Sequence, residues 1–316
     1  MASTTPTWQP LKAGDIVDLV SPGFRPAPGV LEKAENLLKS WGLKPRRPKE
    51  IFGRDILCSN RDDRRAQFLI EALEASDSRA VWCLRGGYGS LRLVPQLLKR
   101  RRPRFIQPKI FVGLSDVTTI HLFLNQVWGW PSIHGPLLDR LVNPATPKSA
   151  QTEMRRLVFG ERSEIQLRGL KPLNQAAAER RVSNLVEGPV VGGNLATLVS
   201  SLGTQLKPSA AGSLVFFEDI GERGYRVDRL LEHLRQAGFF DRVRAVLFGG
   251  FTGGQEPDGS TTVPKVLRRF AESQSVPVLA GVPCGHGKAQ RPIPFLTSAR
   301  LDCRERSLTV SIGPKE

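Results

Sequence analysis

Lys109-Ile-Phe-Val-Gly-Leu-Ser-Asp-Val-Thr-Thr-Ile-His-Leu-Phe-Leu-Asn125 joins a short apolar strand, Ile110 to Val112, to a run whose apolar residues recur at helical spacing through Val117, Ile120, Phe123 and Leu124. Gly113 opens the turn between them. A serine on such a strand-to-helix corner projects its hydroxyl off the end of a sheet, and the next backbone N–H, that of Asp116, starts a helix. Orphan amides and the helix dipole favour negative charge there, which suits an oxyanion on a carbonyl under attack. Ser115 is therefore a candidate nucleophile and the Asp116 N–H a candidate oxyanion donor. The motif lacks the second glycine of Gly-x-Ser-x-Gly, and a competing reading makes Ser115 or Asp116 a plain helix cap.

Outward from this corner, strands and helices alternate. Asp15 to Val20 read as a strand ended by Ser-Pro-Gly, Val30 to Trp41 as a helix closed by Gly42, and Leu43 to Arg47 as an extended segment. Arg61 to Ala75 read as a helix, Arg79 to Leu84 as a strand, and Ser90 to Leu98 as a further helix. This rhythm predicts a doubly wound parallel sheet whose ligands bind beyond the carboxyl ends of the strands. Ser132-Ile-His-Gly-Pro136 falls on the same rim. The rhythm fades after about Ala145, and a linker is expected at 161–185 between an N-terminal domain, 1–160, and a C-terminal one, 186–316. The second domain is expected to carry strands at Ser213 to Phe217, Val243 to Gly249, Val276 to Gly281 and Ser307 to Ile312, with helices at Tyr225 to Ala237 and Thr262 to Ser273.

With 316 residues, 40% of them apolar and 24% charged, the chain has the make-up of a globular protein able to bury two cores. Met1 to Leu11 have neither a basic n-region nor an apolar h-region, and no apolar run is of membrane-spanning length, so a cytoplasmic protein with no membrane partner is expected. Cys58, Cys83, Cys284 and Cys303 are too scattered for a zinc site and read as free thiols. No metal and no cofactor is expected. The 46 basic and 30 acidic residues leave a net charge of +16, with scattered clusters at Arg61 to Arg65, Lys99 to Arg104 and Glu179 to Arg181. These clusters lack interleaved aromatics and any recognition motif. They read first as solvated surface, second as attraction for anionic substrates, and last as a nucleic-acid or polyanion surface on a catalytically idle scaffold.

Four histidines are available as a base. His121 and His233 fall inside helical patterns, whereas His286, between glycines after a buried strand, has no packing reason to be imidazole. Glu218 ends the apolar strand Leu-Val-Phe-Phe-Glu, where a carboxylate must find a partner, and Asp219 competes with it because alternation sends the two to opposite faces. Ser115, Glu218 and His286 have the three roles of a hydrolase triad. Arg85-Gly-Gly-Tyr-Gly89 adds a bare turn whose Gly86 N–H is a second candidate oxyanion donor. A turn chosen for conformation alone and a phosphate cradle are the rivals, the latter weakened because no Lys-Ser/Thr follows. Arg85, His134 and Asn194 are candidate substrate contacts, Arg85 for a terminal carboxylate.

RGGYG (Arg85 to Gly89), GLSDVTTIH (Gly113 to His121), IHGP (Ile133 to Pro136), GGNL (Gly192 to Leu195), FEDIGE (Phe217 to Glu222) and CGHG (Cys284 to Gly287), in collinear order, resemble the LD-carboxypeptidases, the murein tetrapeptide carboxypeptidases whose family also holds the microcin C self-immunity hydrolases. The resemblance implies a flavodoxin-like or amidotransferase-like N-terminal α/β domain with a parallel sheet, a smaller C-terminal swivelling β/α domain, and a cytoplasmic homodimer. It implies Ser115 as nucleophile, Glu218 as acid, His286 as base, and the amides of Gly86 and Asp116 as the oxyanion hole. The expected reaction is metal-free removal of the terminal D-alanine from a muropeptide tetrapeptide. The alternative within the family is cleavage of a peptidyl or aminoacyl nucleotide analogue. Here the elbow reads Gly-Leu-Ser where the family commonly has an aromatic before the serine, and the acidic strand ends Phe-Phe-Glu where Leu-Glu is common. Neither difference touches a reacting atom.

Overall fold

A computed structural model describes residues 7–179, 185–288 and 290–312, and its contacts divide the chain into two units, Met1–Ser163 and Glu164–Glu316. In the first unit, β1 (Ile16–Val20), α1 (Val30–Ser40), β2 (Lys44–Arg46), α2 (Asp62–Glu74) and β3 (Ser78–Cys83) follow in turn. A 3-10 turn, Ser90–Leu93, leads into α3 (Val94–Leu97), and then come β4 (Ile110–Gly113), a 3-10 turn at Ser115–Val117 and α4 (Thr118–Phe123). A π turn, β5 (Ser132–His134), α5 (Leu138–Leu141) and α6 (Lys148–Val158) complete it. These strands lie side by side in the order β5-β4-β3-β1-β2, all parallel. Val17, Leu19, Val81, Trp82, Phe111 and Val112 are wholly buried, which is the pattern of a parallel sheet covered on both faces and the reason these strands read as unbroken apolar runs. Gly42, at φ 81°, ends α1 in the left-handed region as the sequence predicts.

In the second unit, β6 (Glu164–Arg168), β7 (Lys171–Pro172) and α7 (Gln175–Ala178) precede β8 (Leu185–Asn194), α8 (Leu195–Val199), β9 (Leu214–Ile220) and α9 (Gly224–Gln236). Then follow β10 (Ala245–Thr252), α10 (Val263–Glu272), β11 (Val278–Gly285), β12 (Ile293–Phe295), β13 (Ser298–Asp302) and β14 (Ser307–Ser311). An eight-stranded mixed sheet runs β6-β14-β13-β8-β9-β10-β11-β7, parallel through β8 to β11 and antiparallel on both flanks. Phe217 stacks on Phe248 with ring centroids 6.3 Å apart, and Phe240 meets Phe270 at 5.0 Å, so aromatic contacts tie β9 and β10 to α10 on one face.

Two strands of this sheet, β6 and β7, fall within the stretch expected as a linker, 161–185. In β6, Glu-Ile-Gln-Leu-Arg, Ile165 and Leu167 are buried and their neighbours exposed, a period-two pattern half hidden by its charges. Residues 180–184 of that stretch, with Arg180 and Arg181 of its basic cluster, lie outside the described residues, as do residues 1–6 of the N-terminal segment. All four cysteines are buried and none is in a disulfide. Among the described residues no helix is long and apolar enough to cross a membrane.

Candidate active site

At the carboxyl end of β4 the backbone turns sharply. Leu114 is extended, with φ −154°, and Ser115 takes φ 69°, one of three non-glycine residues at positive φ among the described residues. Such a conformation costs an L-residue about 1–3 kcal/mol and persists only where the surroundings impose it. Gly113 is part of that imposition: the Val117 side chain lies where a Cβ on Gly113 would go, so the helix presses onto the strand. His121 is another part. Its Nε2 sits 3.1 Å from the Gly113 carbonyl oxygen and its Nδ1 2.8 Å from Ser132 Oγ. A carbonyl only accepts, so Nε2 carries the proton and the Ser132 hydroxyl donates to Nδ1. Asn125 Nδ2 donates to Ser132 Oγ at 3.2 Å and to the Trp130 carbonyl at 2.7 Å. Burial pushes the His121 imidazole down to about 4, so it braces the floor of the elbow as a neutral ring.

Neither Ser115 nor Asp116 caps the helix with its side chain. Ser115 is half-buried, and the Asp116 carboxylate turns away to accept hydrogen bonds from Gly89 N at 3.2 Å and Ser90 N at 2.9 Å. Burial raises the Asp116 pKa more than these bonds lower it. The carboxylate thereby ties the Arg85-Gly-Gly-Tyr-Gly turn to the elbow. A Cβ on Gly86 would lie 2.9 Å from the Leu114 carbonyl oxygen and 3.0 Å from Ser115 Cβ, so only glycine lets the two segments approach this closely. Arg65, 2% exposed, holds the turn from behind: Nε donates to Asn60 O at 2.9 Å, and one terminal nitrogen donates to Gly89 O at 3.1 Å and also to Pro22 O. Arg85 stands beside Gly86, two-fifths exposed, with Nε 4.0 Å from Asp139 Oδ2.

In the second unit, Glu218 on β9 is fully buried, and its Oε2 lies 2.6 Å from Nδ1 of His286, which follows β11. An ionised carboxylate only accepts, so Nδ1 donates and the lone pair of the ring is left on Nε2, the arrangement a general base needs. Gly285 makes this contact possible. At φ 124° it passes over the acid so closely that a Cβ would lie 2.9 Å from Glu218 Oε2. Asp219 goes to the opposite face, accepting from Asn194 Nδ2 at 2.9 Å, Ala196 N at 2.9 Å and Ile220 N at 2.8 Å. Burial nevertheless pushes it up to about 6. Of the two acids that sequence leaves open, Glu218 is therefore the one that meets the imidazole.

The remaining candidates fall as follows. Asn194 caps α8, its Oδ1 accepting from Thr197 N at 3.0 Å, so its amide is occupied on both sides. His134 is completely buried with its ring 5.8 Å from that of His121, and His233 is exposed on α9. Among the described residues no group of three or more His, Cys, Asp or Glu side chains could hold a metal ion. Sequence reasoning misses the Asp116 carboxylate and Arg65, whose partners lie in loops far apart in the chain, and the bracing role of His121, whose partners Gly113 and Ser132 are 8 and 11 residues away but on strands that no helical pattern brings to its ring.

The N-terminal domain of the LD-carboxypeptidases matches residues 17–135 and their C-terminal domain residues 187–301. A Rickettsia conorii protein provisionally named a carboxypeptidase is 36% identical over 87% of this chain and 85% of its own length. The murein tetrapeptide carboxypeptidase of Pseudomonas aeruginosa is 29% identical over 95% of this chain and 96% of its own. The crystal structure of muramoyltetrapeptide carboxypeptidase from Oxalobacter formigenes superposes with a TM-score of 0.79 at 26% identity, covering 94% of this chain and all of that one.

Proposed function

The chain belongs to the LD-carboxypeptidase family, and from that premise we propose that it is a serine carboxypeptidase that releases the terminal D-alanine from murein tetrapeptides. The observation that carries this reading is the buried Glu218 carboxylate on His286 Nδ1, 2.6 Å away, which leaves the basic lone pair of the ring on Nε2. His286 takes the proton of Ser115, and the alkoxide attacks the carbonyl between the L-centre of the diamino acid and D-alanine. Glu218 supports the imidazolium that forms. The amides of Gly86 and Asp116 receive the oxyanion, each donor contributing about 2.7–4 kcal/mol to the transition state in comparable sites. His286 then protonates the departing D-alanine nitrogen, and water, deprotonated by the same ring, hydrolyses the acyl-enzyme.

The positive φ of Ser115 supports its assignment as nucleophile, because backbone strain of this kind is found where a side chain must be held out for chemistry. The reading requires that the Ser115 hydroxyl and His286 Nε2 meet during catalysis. Arg85, beside the glycine turn, is assigned to the terminal carboxylate that an exopeptidase must grip. The same reading carries a cytoplasmic homodimer, checked by light scattering of the purified chain.

Mass-spectrometric scoring of D-alanine release from purified muropeptide tetrapeptides tests the assignment. Conversion of tetrapeptide to tripeptide by the wild-type chain, absent with Ser115→Ala, is the expected result. Cleavage of an aminoacyl sulfamoyl adenosine in place of every tetrapeptide would move the substrate to the immunity-type class. Activity retained by Ser115→Ala would remove the serine mechanism.

A further inference from the structure

The basic run Lys99 to Arg104 takes no part in the site described above. It lies in the connection between α3 and β4 and enters β4 at its amino end, whereas Ser115 follows the carboxyl end. All neighbours of β4 in the first unit are parallel to it, so the run lies at the amino ends of these strands and the elbow at their carboxyl ends. A partner held at one end leaves the other free.

The run is fixed at its base and bare at its tip. Arg100 Nε and a terminal nitrogen meet Glu74 at 2.9 and 2.6 Å, and Trp128 Nε1 donates to the Arg100 carbonyl at 3.3 Å. On the far side the buried Lys109 ammonium donates to Ala72 O and Ser78 Oγ, both at 2.6 Å. Between these anchors Lys99, Arg101, Arg102 and Arg104 are exposed, and among the described residues no carboxylate pairs with them. The last two acids before the run in the chain are already engaged, Glu74 by Arg100 and Asp77 by Arg46. Directly after Arg104 stands Phe105, 99% exposed, sharing a small hollow with Arg79 and Ile106. Four unpaired cations and a fully solvated phenyl ring at the amino ends of the strands combine attraction for a sheet of phosphates with an apolar group able to enter beneath them.

We propose that residues 99–106 dock the chain reversibly on an anionic lipid bilayer, with Phe105 at the boundary between headgroups and acyl chains and Lys99, Arg101, Arg102 and Arg104 on the phosphates. A contact of this kind needs no membrane-spanning helix. Nucleic acid fits the loop less well, since binders of single strands present several aromatics along a basic groove and this loop presents one.

The test is co-sedimentation of the full chain with vesicles of phosphatidylcholine alone or mixed with phosphatidylglycerol. Binding to the mixed vesicles only, weakening as salt rises, is expected. Arg101→Glu/Arg102→Glu/Arg104→Glu should abolish it, since each arginine near such a surface is worth about fivefold in affinity. Phe105→Ser should weaken it severalfold, and both variants should release D-alanine in solution at the wild-type rate, which also shows that they fold. Failure to pellet with the mixed vesicles at low salt overturns the proposal. So does binding that Phe105→Ser leaves at full strength, which would be bulk attraction by the +16 charge. Salt-sensitive binding of single-stranded DNA by a chain that ignores the vesicles would overturn it in favour of nucleic acid.

Discussion

In the N-terminal unit Ser115 is placed by its backbone, whereas in the C-terminal unit His286 is placed by a charge. The elbow holds a serine at φ 69° through packing: Val117 over Gly113, His121 beneath, Gly86 against the Ser115 Cβ. The acid-base pair is held by one hydrogen bond of 2.6 Å between a wholly buried carboxylate and an imidazole, with Gly285 letting the backbone pass over the acid. A nucleophile needs direction, which a strained turn supplies. A base needs the right tautomer and a stabilised cation, which a turn cannot supply and a buried carboxylate can.

Breaking either side should therefore cost different amounts. On the proposed mechanism Ser115→Ala and His286→Ala each remove a reacting atom and should lower kcat for D-alanine release by about a millionfold, read in single-turnover assays. Glu218→Gln keeps the shape of the acid but loses its charge, and kcat should fall by about ten-thousandfold with KM little changed. An elbow and a charge that contributed equally would give equal losses.

Acid sharpens the comparison. His121, lowered to about 4 from an ordinary 6.5, binds its proton later in the folded than in the unfolded chain, so its share of stability is lost as pH falls from about 6.5 to about 4. Asp219, raised to about 6 from 3.8, binds its proton earlier in the folded chain, so its share is gained as pH falls from about 6 to about 4. Each effect is about 3 kcal/mol at most. Urea unfolding of His121→Gln and Asp219→Asn across this range should show wild-type-minus-variant differences of opposite slope. Parallel slopes would refute the assignment of the two rings of contacts.

Asp116→Asn should give the smallest effect. An amide nitrogen must then face Gly89 N or Ser90 N, costing about 2 kcal/mol of stability in urea unfolding and lowering kcat more than KM as the Gly86 turn drifts from the elbow.

What sequence reveals of the two regions differs for the same reason that they differ physically. The elbow is local: strand, Gly-x-Ser and helix lie within a dozen residues, and the change from an unbroken apolar run to helical spacing marks the corner. Glu218 and His286 are 68 residues apart, and only the oddity of a carboxylate ending an apolar strand, and of an imidazole between glycines, points to them. Alternation says that Glu218 and Asp219 face opposite ways but not which one faces the histidine. The carboxylate of Asp116 and the guanidinium of Arg65 act on a turn that no local pattern brings near them. The charges of β6 mask an alternation that only two apolar residues carry, which is why a stretch read as linker proves to hold a strand.

The central claim is that Ser115 is a nucleophile activated by the Glu218–His286 pair. Labelling the chain with a serine-directed fluorophosphonate and mapping the adduct by peptide mass spectrometry tests it most directly. The account predicts a single adduct on Ser115 whose rate of formation collapses in His286→Ala and falls in Glu218→Gln. An adduct on another residue, or a Ser115 adduct formed at the same rate in both variants, would contradict it.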